Sequence, residues 1–435
     1  MRSADLLLLT LTKFAFAISP TTTMRLPDLP DELICLICEA LEPPHRPRLL
    51  GVCRRWRVIL ERSVYSELDL TSRQIRPFVA AVEDKPHIFS QVKSLRLSEM
   101  CHDWGHSRKQ LKYLGWVHER VEELWPRQIS KFENREWHKG IQYRDEDIWG
   151  ALLLSMLPEL RNLELELHDV ESGLWDLFSL AASPDGRGHA LLQKLESIVF
   201  TTPPPSTRCS SPDLSPFFWL PAMRRVEVPG MLDDRKRMTL EAGELQPPET
   251  STVEVIRLDF VWHRPIFLSG FIECCENLKE FYFASHIGHE AVAPRDWELR
   301  KEVFTPLCSQ KESLEVLELN YKGLSREGMI DLDDERTEHP GQWYDRWFGS
   351  LMDFQCLKHL SMRAANLLDI IHDESGPRLG TSLLDTIPRC LESLHISFTS
   401  DAEHDVAYTA VTELVNANNG FPALKNVVID YELYQ

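Results

Sequence analysis

The sequence predicts an α/β chain in three parts. Residues 1–25 read as an N-terminal tail and residues 26–70 as a small three-helix segment. Residues 71–435 read as an irregular, repeat-built α/β solenoid whose strands line a concave face. Two observations carry this. A run of apolar residues at helical spacing, cut by prolines, fills the stretch from Leu26 to Leu70. After it, one pattern recurs: an apolar residue, two others, an apolar residue, one other, an apolar residue. A third feature bounds the class, since 43% hydrophobic and 26% charged residues suit a packed chain rather than a disordered one.

The helical segment reads in order. Pro30 suits a first helical turn, where its missing N–H costs nothing, and Asp31 and Glu32 favour the positive end of the helix dipole. Leu33, Ile34, Ile37, Ala40 and Leu41 form one apolar stripe, which Pro43-Pro44 ends. A second short helix fits Pro47 to Val52. A third fits Arg54 to Arg62, with Trp56, Ile59 and Leu60 facing inward. Three short helices cannot build much core alone, so a partner or a neighbouring domain is expected to cover the rest of their apolar surface.

Leu29-Pro30-Asp31-Glu32-Leu33, then Ile37 and Leu41, then Val52-Cys53-Arg54-Arg55-Trp56 resemble the F-box, whose pattern is LPxE-[LI], a spaced Ile and Leu, and V-C-[RK]-x-W. Pro47 departs from it, because the family's second helix holds few prolines. The resemblance implies docking to a Skp-type adaptor and through it to a cullin–RING ubiquitin ligase. It would put Leu29, Pro30, Leu33, Ile37, Leu50, Val52, Cys53 and Trp56 at or beneath the docking surface; packing of the three helices is the competing role for each. Cys35 and Cys38 form a CxxC, but no second pair follows at zinc-finger spacing, so a structural role is expected.

The recurring triplet occupies Tyr65/Leu68/Leu70, Val92/Leu95/Leu97, Leu160/Leu163/Leu165, Leu195/Ile198/Phe200, Met223/Val226/Val228 and Val253/Ile256/Leu258. It continues at Leu278/Phe281/Phe283, Leu314/Leu317/Leu319, Leu357/Leu360/Met362, Leu391/Leu394/Ile396 and Leu424/Val427/Ile429. Its last two positions alternate with polar residues, the period of a half-buried strand. Helical stretches such as Phe267 to Cys275 and Ala407 to Asn416 lie between units. The pattern resembles an irregular leucine-rich repeat of the kind found behind many F-boxes, notably in filamentous fungi. It departs from the regular repeat at the ninth position, where Asn or Cys would form a turn-regularising ladder and Met100, His168, Val261, His286 and Lys322 stand instead. Uneven curvature follows from that.

Three insertions break the period. Residues 99–150 carry Trp104, Trp116, Trp125, Trp137 and Trp149. Residues 201–216 form a Pro/Ser loop expected to be mobile, and residues 325–350 turn from acidic to aromatic. The aromatic content of the first and third favours packing.

A net charge of −19 disfavours nucleic acid and anionic membrane as partners. Ten scattered cysteines read as free thiols in a reducing compartment, cytoplasmic and/or nuclear. The stretch Leu6–Leu9 and Phe14–Ala17 resembles a short signal peptide, but Lys13 interrupts it and Met24 directly precedes the motif, so a start at Met24 or a floppy tail is expected instead. No catalytic motif such as G-x-S-x-G, a phosphate loop or H-E-x-x-H is present. His286 and His289, with Glu290, lack a third ligand on an evident common face. The expectation is a non-catalytic ligase subunit with no cofactor and no metal.

An unidentified protein substrate would bind the strand-lined face. Between the apolar positions stand Arg96, Glu164, Glu227, Arg257, Tyr282, Glu318, Ser361 and His395, and two residues on stand Glu166, Asp259, Asn320, Arg363 and Asp430. Arg257, Tyr282, Glu318, Arg363 and His395 are the candidates for substrate contact, since Tyr and Arg dominate interface hot spots. An acidic patch is expected at Glu164 and Glu166. Two other functions stay open: a scaffold that binds the adaptor without ubiquitin transfer, and a secreted repeat protein.

Overall fold

The last two residues of every apolar triplet lie on a β-strand, eleven strands in all. The computed structural model describes residues 29–82, 85–100, 115–125, 131–143, 145–167, 173–183, 188, 190–201, 214–231, 248–260, 268–286, 303–322, 347–373, 376–398, 401–417 and 420–431. The N-terminal tail and signal-like stretch, residues 202–213 of the Pro/Ser loop, the body of the acidic–aromatic insertion, and His289 with Glu290 lie outside these residues. The chain divides into one unit of Met1–Glu166, Glu171–Leu177 and Ala190–Leu195, and another of Leu167–Val170, Phe178–His189 and Glu196–Gln435.

The first unit opens with helix α1 (Asp31–Glu39), a 3-10 segment (Pro43–Gly51) and helix α2 (Arg54–Ser66). Pro30 stands at the N-cap and Asp31 and Glu32 occupy the first turn, as the dipole favours. The expected second helix is a 3-10 segment because its four residues Pro43, Pro44, Pro47 and Gly51 suit no regular α-helix. The third helix runs four residues past its expected end, because Val64 continues the inward stripe of Trp56 and Leu60.

Strand β1 (Glu67–Thr71) pairs in parallel with β2 (Ser94–Met100), and β3 (Asn162–Leu167) lies beside β2. Helix α3 (Ser72–Val82) connects the first two. The tryptophan-rich insertion folds into α4 (Gly115–Leu124), α5 (Lys131–Tyr143) and α6 (Glu146–Ser155). Trp125, Trp137 and Trp149 are buried, and the Trp137 Nε1–H donates to Asp176 Oδ2 at 3.3 Å. Packing, not a solvated loop, is what those aromatic residues specify.

The second unit is an eight-stranded parallel sheet: β4 (Ser197–Thr201), β5 (Arg225–Met231), β6 (Val255–Phe260), β7 (Glu280–His286), β8 (Val316–Lys322), β9 (His359–Arg363), β12 (Ser393–Phe398) and β13 (Asn426–Tyr431) in that order. A two-stranded antiparallel hairpin, β10 (Ile370–Asp373) and β11 (Gly376–Leu379), is inserted between β9 and β12. The apolar positions of β4 to β12 are sealed in a core that Phe217, Phe218, Phe271, Phe304 and Phe354 complete from the connecting segments. The Phe218 and Phe271 rings stack at 4.5 Å between centroids. Each such side chain contributes about 1.5–3 kcal/mol by leaving water.

The missing ninth-position ladder is replaced by two other devices. The residue just before each strand gives its carbonyl to two N–H groups of the next strand's start: Glu254 O accepts from Lys279 at 2.8 Å and Glu280 at 3.1 Å, and Lys358 O from Glu392 at 2.7 Å and Ser393 at 2.9 Å. The side chains in that column alternate in sign along the stack: Glu196, Arg224, Glu254, Lys279, Glu315, Lys358, Glu392, Lys425. Glu254 pairs with Arg224 (2.9 Å) and Lys279 (2.6 Å), Glu315 with Lys358 (2.5 Å), and Glu392 with Lys425 (2.6 Å). The second device is buried Gln310. Its amide donates to Cys275 O at 2.7 Å and Ile272 O at 3.2 Å, and accepts from Leu278 N at 3.1 Å.

Candidate functional site: an N-terminal docking face and an open sheet face

In the N-terminal helices Ile34, Cys38, Trp56, Leu60 and Val64 form the sealed core. Ile34 and Cys38, one helical turn apart, are the inward edge of α1, so the stripe read from the sequence is rotated. Leu33 and Ile37 lie on its flank and are half-buried, and Ala40 and Leu41 fall beyond the helix. Leu29, Pro30, Leu50 and Cys53 are likewise half-buried, and Val52 is 40% exposed. Trp56, only 1% exposed, lies beneath these residues as part of the core, because it points inward from the first turn of α2 onto Ile34 and Cys38. Sequence reasoning missed Leu36 (47% exposed) and Val58 (73% exposed), apolar residues on the outward sides of α1 and α2. Their signal was available, since each lies off the inward stripe of its own helix.

Exposed Arg55 pairs with Asp31, tying α2 to the start of α1. Arg46 donates to Leu41 O at 3.0 Å and to Glu67 Oε2 at 2.7 Å, fixing the 3-10 segment to the first strand. Cys38 lies in the core and Cys35 beside it; burial pushes both thiols upward, away from the thiolate that metal binding or redox chemistry requires. The result is a fixed three-helix platform that leaves a row of apolar side chains incompletely covered.

The open face of the second unit is laid out by strand register. Glu227, Arg257, Tyr282, Glu318, Ser361 and His395 occupy successive positions of one row across β5, β6, β7, β8, β9 and β12. All six are half-buried. The Arg257 guanidinium lies 4.1 Å over the Tyr282 ring, and the Tyr282 hydroxyl donates to Glu280 Oε2 at 3.1 Å. Burial, with the nearby Glu280 carboxylate second, raises the Tyr282 phenol above its ordinary range. Ser361 Oγ lies 3.0 Å from His395 Nδ1, whose Nε2 is 3.0 Å from Asp430 Oδ2. Ser361, His395 and the exposed Asp430 thus form a ladder of polar contacts that runs across β9, β12 and β13.

Arg363 is a correction. It is 2% exposed, because the chain turns directly from the end of β9 into the helix Ala364–Leu367 and covers it, so it presents nothing to a partner. The acidic patch expected at Glu164 and Glu166 is also altered, since Arg96 lies 3.2 Å from Glu164 and offsets its charge. Among the described residues no group of three or more His, Cys, Asp or Glu side chains could hold a metal ion, and no helix is long and apolar enough to cross a membrane.

A helical docking segment followed by a strand-and-turn stack defines an F-box protein with a C-terminal leucine-rich repeat region. The chain belongs to the leucine-rich repeat family: the leucine-rich repeat domain model matches residues 188–431, more than half of it, and an F-box-like model matches residues 26–71. No curated protein matches the chain. F-box domains generally bind Skp-type adaptors, and the two domains together support an adaptor role in Skp–cullin–F-box ligases.

Proposed function

We propose that this chain is a substrate receptor of a Skp–cullin–F-box ubiquitin ligase and is not itself catalytic. On this reading residues 26–70 dock the Skp-type adaptor and residues 71–435 hold the protein to be ubiquitinated. The observation that carries it is the incomplete cover of the N-terminal bundle: Leu29, Ile37, Leu50 and Cys53 pack against a sealed core yet are only half-buried, and half-buried Pro30 and Leu33 and exposed Val52 add apolar surface in solvent. Apolar surface of that kind marks an interaction site. The receptor contributes proximity, holding a substrate lysine near the conjugating enzyme. The cytoplasm and/or nucleus is the compartment in which such a ligase works.

Co-purification tests the reading. The wild-type chain should recover both adaptor and cullin, and Leu29→Ala with Pro30→Ala should abolish that recovery while the circular dichroism spectrum stays unchanged. Adaptor without cullin would make the chain a scaffold, and recovery unaffected by the double substitution would remove the docking assignment.

A further inference from the structure

Arg225 is committed to Glu227, Arg257 to the Tyr282 ring, Glu280 to the Tyr282 hydroxyl, and His395 to Ser361 and Asp430. One charged residue in the middle of the row is left over. Glu318 on β8, half-buried between Tyr282 on β7 and Ser361 on β9, has no ion pair or hydrogen bond among the described residues. Two residues on, and so on the same face, Asn320 Oδ1 is buried and accepts no hydrogen bond. The Glu318 carboxylate still meets water but has no cation beside it, since Arg225, Arg257 and His395 are engaged elsewhere, and the orphaned Asn320 oxygen marks the same stretch of β8 as short of donors.

We propose that the substrate supplies the missing cation: a Lys or Arg side chain on an extended segment, seated against the Tyr282 ring with the Glu318 carboxylate as its acceptor. This rests on the reading of the sheet face as the substrate surface. Arg257 covers one side of the ring from β6, and Glu318 stands on the other side on β8, so the incoming cation meets a ring face and a carboxylate together. Arg257 itself rejects a cation placed one strand further along, which fixes the position. The net charge of −19 draws a basic segment in and repels an acidic one.

A random-sequence peptide array probed with the full chain tests this. Bound peptides should be enriched in Lys or Arg at one position, and binding should weaken with salt. Glu318→Gln should erase the enrichment and weaken the best peptide about tenfold or more, as loss of a charge-assisted hydrogen bond does. Enrichment of acidic residues, absence of any sign preference, or an enrichment that survives Glu318→Gln would overturn the assignment, as would an array with no binder. Tyr282→Ala separates the two levels. If it abolishes binding while Glu318→Gln is neutral, the face remains the substrate surface and only the cation falls. If neither substitution changes peptide binding, the face itself falls. Adaptor recovery, measured on the same variants, stays unaffected throughout and reports the docking reading separately.

Discussion

Gln310 carries a prediction whose size follows from its three backbone contacts. Replacing it with Leu keeps the volume and removes every polar atom. Leu278 N–H loses its 3.1 Å acceptor and Cys275 C=O its 2.7 Å donor, both in a buried setting. Ile272 C=O keeps a second partner, the Cys275 N–H at 3.3 Å, so it is not orphaned. Two stranded groups at about 1–3 kcal/mol each give roughly 2–6 kcal/mol. The better burial of Leu returns about 1 kcal/mol, leaving a loss of about 1–5 kcal/mol. A repeat array need not unfold as one unit, so the local readout is the stronger one. Hydrogen exchange should show the Leu278 amide losing protection well before the amides of β12, and urea unfolding monitored globally should shift to lower denaturant. Unchanged exchange at Leu278, with a urea midpoint equal to wild type, would refute the claim that Gln310 regularises this turn.

Three further outcomes follow from the same geometry. Trp56→Ala should cost about 3–5 kcal/mol, enough to melt the small N-terminal bundle and lose adaptor binding with it, whereas Val52→Asp should lose adaptor recovery with less than about 0.5 kcal/mol change in stability; thermal melts beside pull-downs separate them. Glu254→Lys replaces two attractive pairs by two repulsions between Arg224 and Lys279, so urea titration should show a loss of about 1–2 kcal/mol that high salt relieves. Glu392 is held below the usual carboxylate range, first by its hydrogen bond from Lys425. Its contribution is present above the unfolded-state pKa and disappears as pH falls through the lower folded-state value, so Lys425→Met should shrink the acid-induced drop in urea midpoint.

Much of this was legible in the chain because burial writes itself as periodicity. The triplet Leu314/Leu317/Leu319 foretells β8, since only a half-buried strand needs apolar residues two apart with Glu318 between them. Ile34 and Cys38 show where such reading slips. On a short helix with apolar residues on several sides, the pattern cannot say which flank a later element will cover. The CxxC spacing points to sulfur chemistry at Cys38, whereas its side chain is simply part of the core. Arg363 slipped for a related reason. Alternation puts it on the open face, but the helix that follows β9 without a turn hides it, and nothing at the residue itself announces that.

The charge column clarifies why the regular ladder residue could be dispensed with. An Asn or Cys ladder ties each turn to the next by uncharged contacts that are the same at every level, so it sets spacing but not identity. Alternating Glu and Lys or Arg at the start of successive strands adds a sign. A slip of one repeat would bring Glu254 against Glu315 or Lys279 against Lys358, turning attractive neighbours into repulsive ones. Each exposed pair is worth little alone, but the column penalises every misregistered stack at all of its levels at once. Register across β6, β7 and β8 is also what aligns Arg257, Tyr282 and Glu318 in a single row. The charge column at one end of the strands therefore holds in place the open-face row a few residues further along.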